Sequence, residues 1–289
     1  MSAQQPLPSP TKSFVSEKNN MTIGDWISQT TVSFKAAGIT SARLDAEILL
    51  AHTLKKPRTY LHAHSDELIS EREVQIAEAR AALRLDRTPI AYIIGHKDFY
   101  GRPFKVTLST LIPRPESEDI ITITKEIAKT KPVWRIVDVG TGSGCLGIST
   151  KLELPTADVT LIDISRHALM VAKANAAHLK ADVTLIHGDL LSEYPFNADI
   201  IIANLPYVGK EWKRSPETDH EPSIALFADN DGLALIEALL PQAVSHLSKN
   251  GDILIEAAPK QHTAIIALAK THGFHHIATH GFIVHMRLS

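Results

Sequence analysis

A single cysteine, Cys145, is present in the whole chain, so no internal disulfide can form and no cysteine zinc site can be assembled. That usage fits a reducing compartment, and a cytoplasmic location is expected. Long apolar runs are also missing: stretches such as residues 264–269 stop far short of the roughly 20 residues that cross a bilayer, and no membrane association is expected. Charge of one sign is not in excess either. A formal net charge of -2 gives no reason to expect tight nucleic-acid binding through the phosphate backbone. Residues 1–21 lack the apolar core of a secretory signal, are rich in Ser, Pro, Gln and Lys, and read as a mobile tail.

A length of 289 residues points to one large domain and one smaller one. Residues 22–87 carry helical periodicity. Ile23, Trp26, Ile27 and Phe34 share one face before Gly38 stops the first helix. Ser41 is placed to cap a second helix with the stripe Leu44, Ile48 and Ala51. Ser70 and Glu73 have the spacing of a capping box ahead of Val74, Ala77, Ala81 and Leu85. Residues 88–110 turn β-prone, with Gly101-Arg102-Pro103 as the turn of a hairpin linker.

From residue 111 to 289 the pattern alternates. Pro115 is expected to open a helix carrying Ile120, Ile123 and Ile127 inward. Strand candidates at 134–139, 159–163, 183–187, 199–204 and 252–256 are separated mostly by helical stretches, which predicts an α/β domain with a mostly parallel sheet. Two short strands at 275–278 and 282–288 give it an antiparallel edge.

The first of these strands runs into Asp138-Val139-Gly140-Thr141-Gly142-Ser143-Gly144. Glycine is needed where backbone turns sharply beside a ligand, and the carboxyl edge of a parallel sheet is where nucleotide-like ligands bind. No lysine follows the glycines, which excludes a phosphate loop of the Gly-x4-Gly-Lys-Ser/Thr kind. Alone, the loop leaves dinucleotide binding open. Asp163, about twenty residues on at the end of the second strand, supplies a carboxylate for ribose hydroxyls, and Gly188-Asp189 closes the third strand. This set resembles the class I methyltransferase pattern, a Rossmann-like seven-stranded fold. It implies S-adenosylmethionine as cofactor, held by Gly140, Thr141, Gly142, Ser143, Gly144, Asp163, Asp189, Leu190 and Asn204.

The fourth strand ends in Asn204-Leu205-Pro206-Tyr207. A planar nitrogen with a delocalised lone pair must be aligned with a sulfonium methyl. The Asn204 side-chain oxygen and the Leu205 backbone carbonyl can each accept one N–H, placing partial negative charge where positive charge develops. Pro206 biases Leu205 toward extended backbone, and Tyr207 can cover the amide plane.

A more specific resemblance follows from Ala42-Arg43-Leu44-Asp45-Ala46-Glu47 with Leu49-Leu50-Ala51-His52, Pro89-Ile90-Ala91-Tyr92 with Gly95, Leu111-Ile112-Pro113-Arg114-Pro115-Glu116 with Glu118, Glu221-Pro222 with Ala225-Leu226, and Asp231-Gly232-Leu233. Together with the cofactor and reaction motifs, these residues resemble the HemK/PrmC release-factor glutamine methyltransferases over nearly everything after the tail. The resemblance implies methylation of the side-chain nitrogen of the Gln in the Gly-Gly-Gln motif of peptide chain release factors. It also implies that Arg114, Pro115, Glu116, Glu221 and Pro222 help to hold that substrate beside Asn204, Leu205, Pro206 and Tyr207, and that the helical domain recognises the release factor.

One residue departs from the family's usual Asn-Pro-Pro-Tyr: Leu205 stands at the second position, as in the rRNA adenine dimethyltransferases. A backbone carbonyl serves as acceptor either way, with φ less restrained at leucine. The alternatives are therefore a nucleic-acid adenine N6-methyltransferase and a non-catalytic cofactor-binding interaction protein. Leu190 also stands where some family members carry tryptophan. His272, His275, His276 and His280 crowd together, but no nearby carboxylate or cysteine completes a metal set, and none is expected. Lys210, Lys213, Arg214 and Trp212 read as a mobile substrate loop.

Overall fold

The computed structural model describes residues 21–289; the tail expected at residues 1–21 lies, apart from Met21, outside them. Two compact units divide after Asp86. Among the described residues the first holds four helices: α1 (Ile23–Ala36), α2 (Ala42–Leu54), α3 (Arg58–Ala63) and α4 (Glu71–Leu85). The Ser70 hydroxyl accepts the Glu73 N–H while the Glu73 carboxylate accepts the Ser70 N–H, completing the expected capping box. Ser41 makes no such cap, because its backbone (φ -88°, ψ 22°) is outside the extended region from which a capping side chain reaches back. The face of α2 also differs from the expected stripe. Ala51 is buried as expected and Ile48 half-buried, but Leu44 is exposed, and Ala42, Asp45, Ala46, Glu47, Leu49 and Leu50 are buried as well. Three ion pairs on two carboxylates reset the face: Asp45 accepts from Arg84 at 2.8 Å, and Glu47 from Arg43 at 2.9 Å and Arg58 at 2.7 Å.

The second unit opens with α5 (Ile90–Ile94) and a hairpin of β1 (His96–Phe99) and β2 (Arg102–Lys105). Its turn is Tyr100-Gly101, both at positive φ (48° and 72°), as a two-residue hairpin turn requires. Arg102 and Pro103 are strand residues and not part of the turn. Pro115 lies in a short 3₁₀ turn, Pro115–Ser117, ahead of α6 (Glu118–Thr130). Then follow β3 (Arg135–Val139), α7 (Cys145–Glu153), β4 (Asp158–Asp163), α8 (Arg166–Leu179), β5 (Thr184–His187) and β6 (Ala198–Ala203). The chain finishes with α9 (Ala234–His246), β7 (Leu247–Glu256), α10 (His262–Thr271), β8 (Phe274–His280) and β9 (Ile283–Leu288).

These strands form one seven-stranded sheet in the order β5-β4-β3-β6-β7-β9-β8. The pairs from β5 through β7 are parallel, and the last strand, β9, runs antiparallel between β7 and β8. This is the Rossmann-like class I methyltransferase fold. Ile136, Val137, Ile200, Ile201, Ile202, Ile253, Leu254 and Ile255 are fully buried, the continuous apolar runs of a sheet covered on both faces. Strand order reverses at β3, whose neighbours are β4 and β6, so the crevice beyond their carboxyl ends is the natural ligand position. A buried amide joins the hairpin to that edge: Asn175 on α8 accepts the Lys105 N–H at 2.8 Å and donates to the carbonyls of Lys105 at 3.0 Å and Ser143 at 2.8 Å.

Candidate active site

A cavity of about 480 Å³ opens at this edge, within the range of small-molecule sites. The turn after β3 is pinned to β4, because the Gly140 and Thr141 N–H groups both donate to the Ile162 carbonyl at 2.9 Å. Gly140 has φ 72°, and a Cβ there would lie 2.7 Å from Leu205 Cδ2. Only glycine fits both constraints, so the loop approaches the reaction element directly. Beneath it, buried Asp138 accepts from Thr141 Oγ1 at 2.5 Å and from the Gly147 N–H at 2.9 Å. Burial pushes its carboxyl up to about 6 despite those donors.

Gly140, Thr141, Gly142 and Ser143 line the cavity, as do Asp163, Asp189 and Leu190. Asp163 clasps the loop by accepting the Gly142 N–H at 2.8 Å through Oδ2, and it accepts the Ser165 N–H at 2.8 Å through Oδ1. Burial raises its pKa, with the Ser165 and Gly142 amides pulling the other way. Asp189 is exposed at the rim, and Leu190 is buried with φ 52°. Gly144 is not among the lining residues and starts α7.

Asn204, Leu205 and Pro206 form another wall. The Asn204 Nδ2 donates to Ser117 Oγ at 3.1 Å. Tyr207 is outside the lining, its hydroxyl donating to Glu256 Oε1 at 3.2 Å. Burial and the Glu256 carboxylate push the Tyr207 phenol well above its ordinary value. Arg114 reaches the cavity and pairs with buried Glu221, which also accepts the Ile112 N–H at 3.1 Å. Pro115, Glu116 and Pro222 do not line it, and Pro115 and Glu116 are exposed. Trp212 is tied down, donating to Asp231 with the Lys260 ammonium over its ring, while Lys210 pairs with Asp229 and Arg214 with Asp219.

Sequence reasoning missed three contributors. Ser117 holds Asn204 from a turn 87 positions earlier. Glu256 ends the apolar run of β7 beside Asn204, since Ala203 is in register with Ile255; a carboxylate ending a buried strand was the available signal. Gln261 donates to the carbonyls of Tyr207 and Asp231, both at 2.9 Å, and accepts the Ala258 N–H.

Two family models match: PrmC N-terminal domain over residues 25–95 and Methyltransferase small domain over residues 123–218. The chain is 41% identical over 228 residues to a release factor glutamine methyltransferase of Koribacter versatilis, covering 77% of this chain and 81% of that protein. A release factor glutamine methyltransferase of Deinococcus radiodurans is 33% identical over 262 residues, covering 88% and 92%. A bifunctional methyltransferase of Rickettsia felis is 36% identical over 272 residues, and there the chain spans about half (51%) of the longer protein. With an N-terminal helical unit, a seven-stranded methyltransferase sheet and relatives matched along most of their length, the chain belongs to the release factor glutamine methyltransferase family.

Proposed function

We propose that the protein transfers a methyl group from S-adenosylmethionine to the side-chain amide nitrogen of the glutamine in the Gly-Gly-Gln motif of peptide chain release factors, acting in the cytoplasm and without tight nucleic-acid binding. The observation that carries this reading is the orientation of Asn204. Its Nδ2 is engaged by Ser117 at 3.1 Å, which leaves Oδ1 as the acceptor for a substrate N–H at the cavity wall. The adjoining Leu205 carbonyl is the second acceptor. Two acceptors fix the plane of a primary amide and stabilise the charge that grows on nitrogen.

The cavity fits the cofactor through its polar lining: carboxylates at Asp163 and Asp189 to accept from hydroxyl and amino groups, and loop backbone of Gly140 to Ser143 free to approach closely. When bound, S-adenosylmethionine supplies the electrophilic methyl group. Arg114, held by Glu221, is suited to the substrate amide oxygen. A glutamine amide offers few atoms for selection, so the helical unit is assigned the recognition of the rest of the release factor. Purified enzyme, labelled cofactor and intact release factor test the reading. Label on the Gly-Gly-Gln glutamine is the expected result, and transfer to RNA with none to the factor would overturn it.

A further inference from the structure

We propose that Gln261 is a positioning residue for the substrate side of the cavity: its amide clasps both ends of the segment 208–230 and fixes the Tyr207 end of the reaction element. The inference rests on the reaction proposed above. Gln261 closes the short turn Pro259–Gln261 after β7 and is 3% exposed. Its Nε2 donates to the carbonyls of Tyr207 and Asp231, both at 2.9 Å, while its Oε1 accepts the Ala258 N–H at 3.0 Å. A carbonyl oxygen only accepts and a backbone N–H only donates, so these partners decide which end of the amide faces the segment. Between Tyr207 and Asp231 the chain supplies Lys210, Ile224, Ala225, Phe227, Ala228 and Asp229 to the cavity wall. Gln261 itself does not line the cavity and acts from behind that wall.

The backbone at the clasp is strained. Asn230 and Asp231 are both left-handed, with φ 54° and 50°, ahead of Gly232 at 87°. Residues with a Cβ disfavour that region, and it persists where surrounding contacts over-determine it. The bond from Gln261 to the Asp231 carbonyl is one such contact, joined by Trp212 on the Asp231 carboxylate and by Asn230 Nδ2 on Glu237. Gly232 packs so closely that a Cβ there would lie 2.0 Å from the Tyr207 oxygen and 2.6 Å from Gln261 Nε2. The segment also pairs with itself, the Val208 N–H donating to the Leu226 carbonyl at 3.0 Å and the Ala228 N–H to the Val208 carbonyl at 3.2 Å. Buried Glu221 anchors its middle to Ile112 and Arg114, and Gln261 anchors its ends to the turn after β7. In the reaction element, Ser117 holds Asn204 at one end and Gln261 holds the Tyr207 carbonyl at the other. The Leu205 carbonyl, the second acceptor for the substrate amide, therefore lies between two fixed points. The cofactor side is held separately, by Ile162 and Asp163 on the glycine turn.

The test is Gln261→Met in the full chain, which keeps the length of the side chain and removes both donors. Amide hydrogen exchange should quicken by about tenfold or more within residues 208–230 and stay unchanged at residues 140–144. With intact release factor, kcat/KM should fall by roughly 10- to 100-fold, with the Kd for S-adenosylmethionine within about twofold. Gln261→Glu separates donation from packing. Its carboxylate keeps the acceptor for Ala258 but turns an oxygen without a proton toward two carbonyls, and burial there raises its pKa. Its activity relative to the unaltered enzyme should therefore recover several-fold as pH falls from about 8 to about 6, and Gln261→Met should show no such recovery. If Gln261→Met does not fold, Gln261→Glu decides on the same exchange and kinetic measurements. Unchanged exchange in 208–230, unchanged kcat/KM in a variant that folds, or a flat pH ratio for Gln261→Glu overturns the proposal. Absence of transfer by the unaltered enzyme would count against the assigned reaction and not the clasp, which exchange decides by itself.

Discussion

Asp163→Ala probes the cofactor side of the cavity most directly. Asp163 has two tasks in one carboxylate: it faces the cavity, and its two oxygens accept the Gly142 and Ser165 N–H groups, both at 2.8 Å. Truncation removes the acceptor for ribose hydroxyls and loosens the loop that must approach the ligand. Leaving one buried polar group without its charged partner costs about 1–3 kcal/mol, which corresponds to a loss of cofactor affinity of roughly 5- to 150-fold. Calorimetric titration of S-adenosylmethionine reads this loss. Asp163→Asn, which keeps one acceptor oxygen, should fall between the wild type and the alanine variant. Unchanged affinity in Asp163→Ala would show that the ribose is held elsewhere and would refute the assignment of the strand-end carboxylate.

Asn204→Ala is expected to abolish methyl transfer with cofactor affinity nearly unchanged, as single-turnover and binding assays would reveal; wild-type turnover would refute the mechanism. Leu205→Pro should alter the rate by less than about tenfold because the carbonyl acceptor is retained, and a large gain would mark Leu205 as an impairing residue. Asp138 gives a pH signature. Its folded pKa, pushed up to about 6 from 3.8, means that the stability it contributes is fully present below about pH 4 and lost as pH rises through about 6. The ionised group then costs on the order of 3 kcal/mol. Urea denaturation should show the stability of wild type relative to Asp138→Asn falling between pH 4 and 6 and flat above 7, and parallel curves would contradict this. Deleting residues 1–85, provided the remainder folds, should raise KM for intact release factor far more than it changes cofactor Kd; an unchanged kcat/KM would remove the helical unit from substrate recognition.

The sheet was legible because its strands are apolar runs at helix-separated intervals, and 252–256 or 159–163 could hardly be read otherwise. The glycine turn, Asp163 and Asn204 were legible for a related reason: each lies at the end of such a run, where a parallel sheet presents its ligands. What failed in α2 was the assumption that polar residues face water. Asp45 and Glu47 are buried because Arg84, Arg43 and Arg58 come to them, and Leu44 is displaced outward. Arg84 and Arg58, 39 and 11 positions from their partners, lie outside α2 and carry no periodic mark; only Arg43 stands at helical spacing from Glu47. Ser117 and Glu256 escaped notice likewise, since their relation to Asn204 exists only once the 115–117 turn, β6 and β7 are brought together.

Asn175 has a consequence for anyone building chimeras from this family. At the hairpin it reads only backbone, the N–H and carbonyl of residue 105, so side-chain identity there is open to exchange. Register is not: one residue inserted into β2 would carry that peptide group away from the amide, which also holds the Ser143 carbonyl of the glycine turn. A crossover after residue 86 keeps the staple within one parent, whereas a crossover near residue 110 makes a backbone from one parent answer to an asparagine from the other. Hairpin length, more than hairpin sequence, then becomes the compatibility rule for recombination.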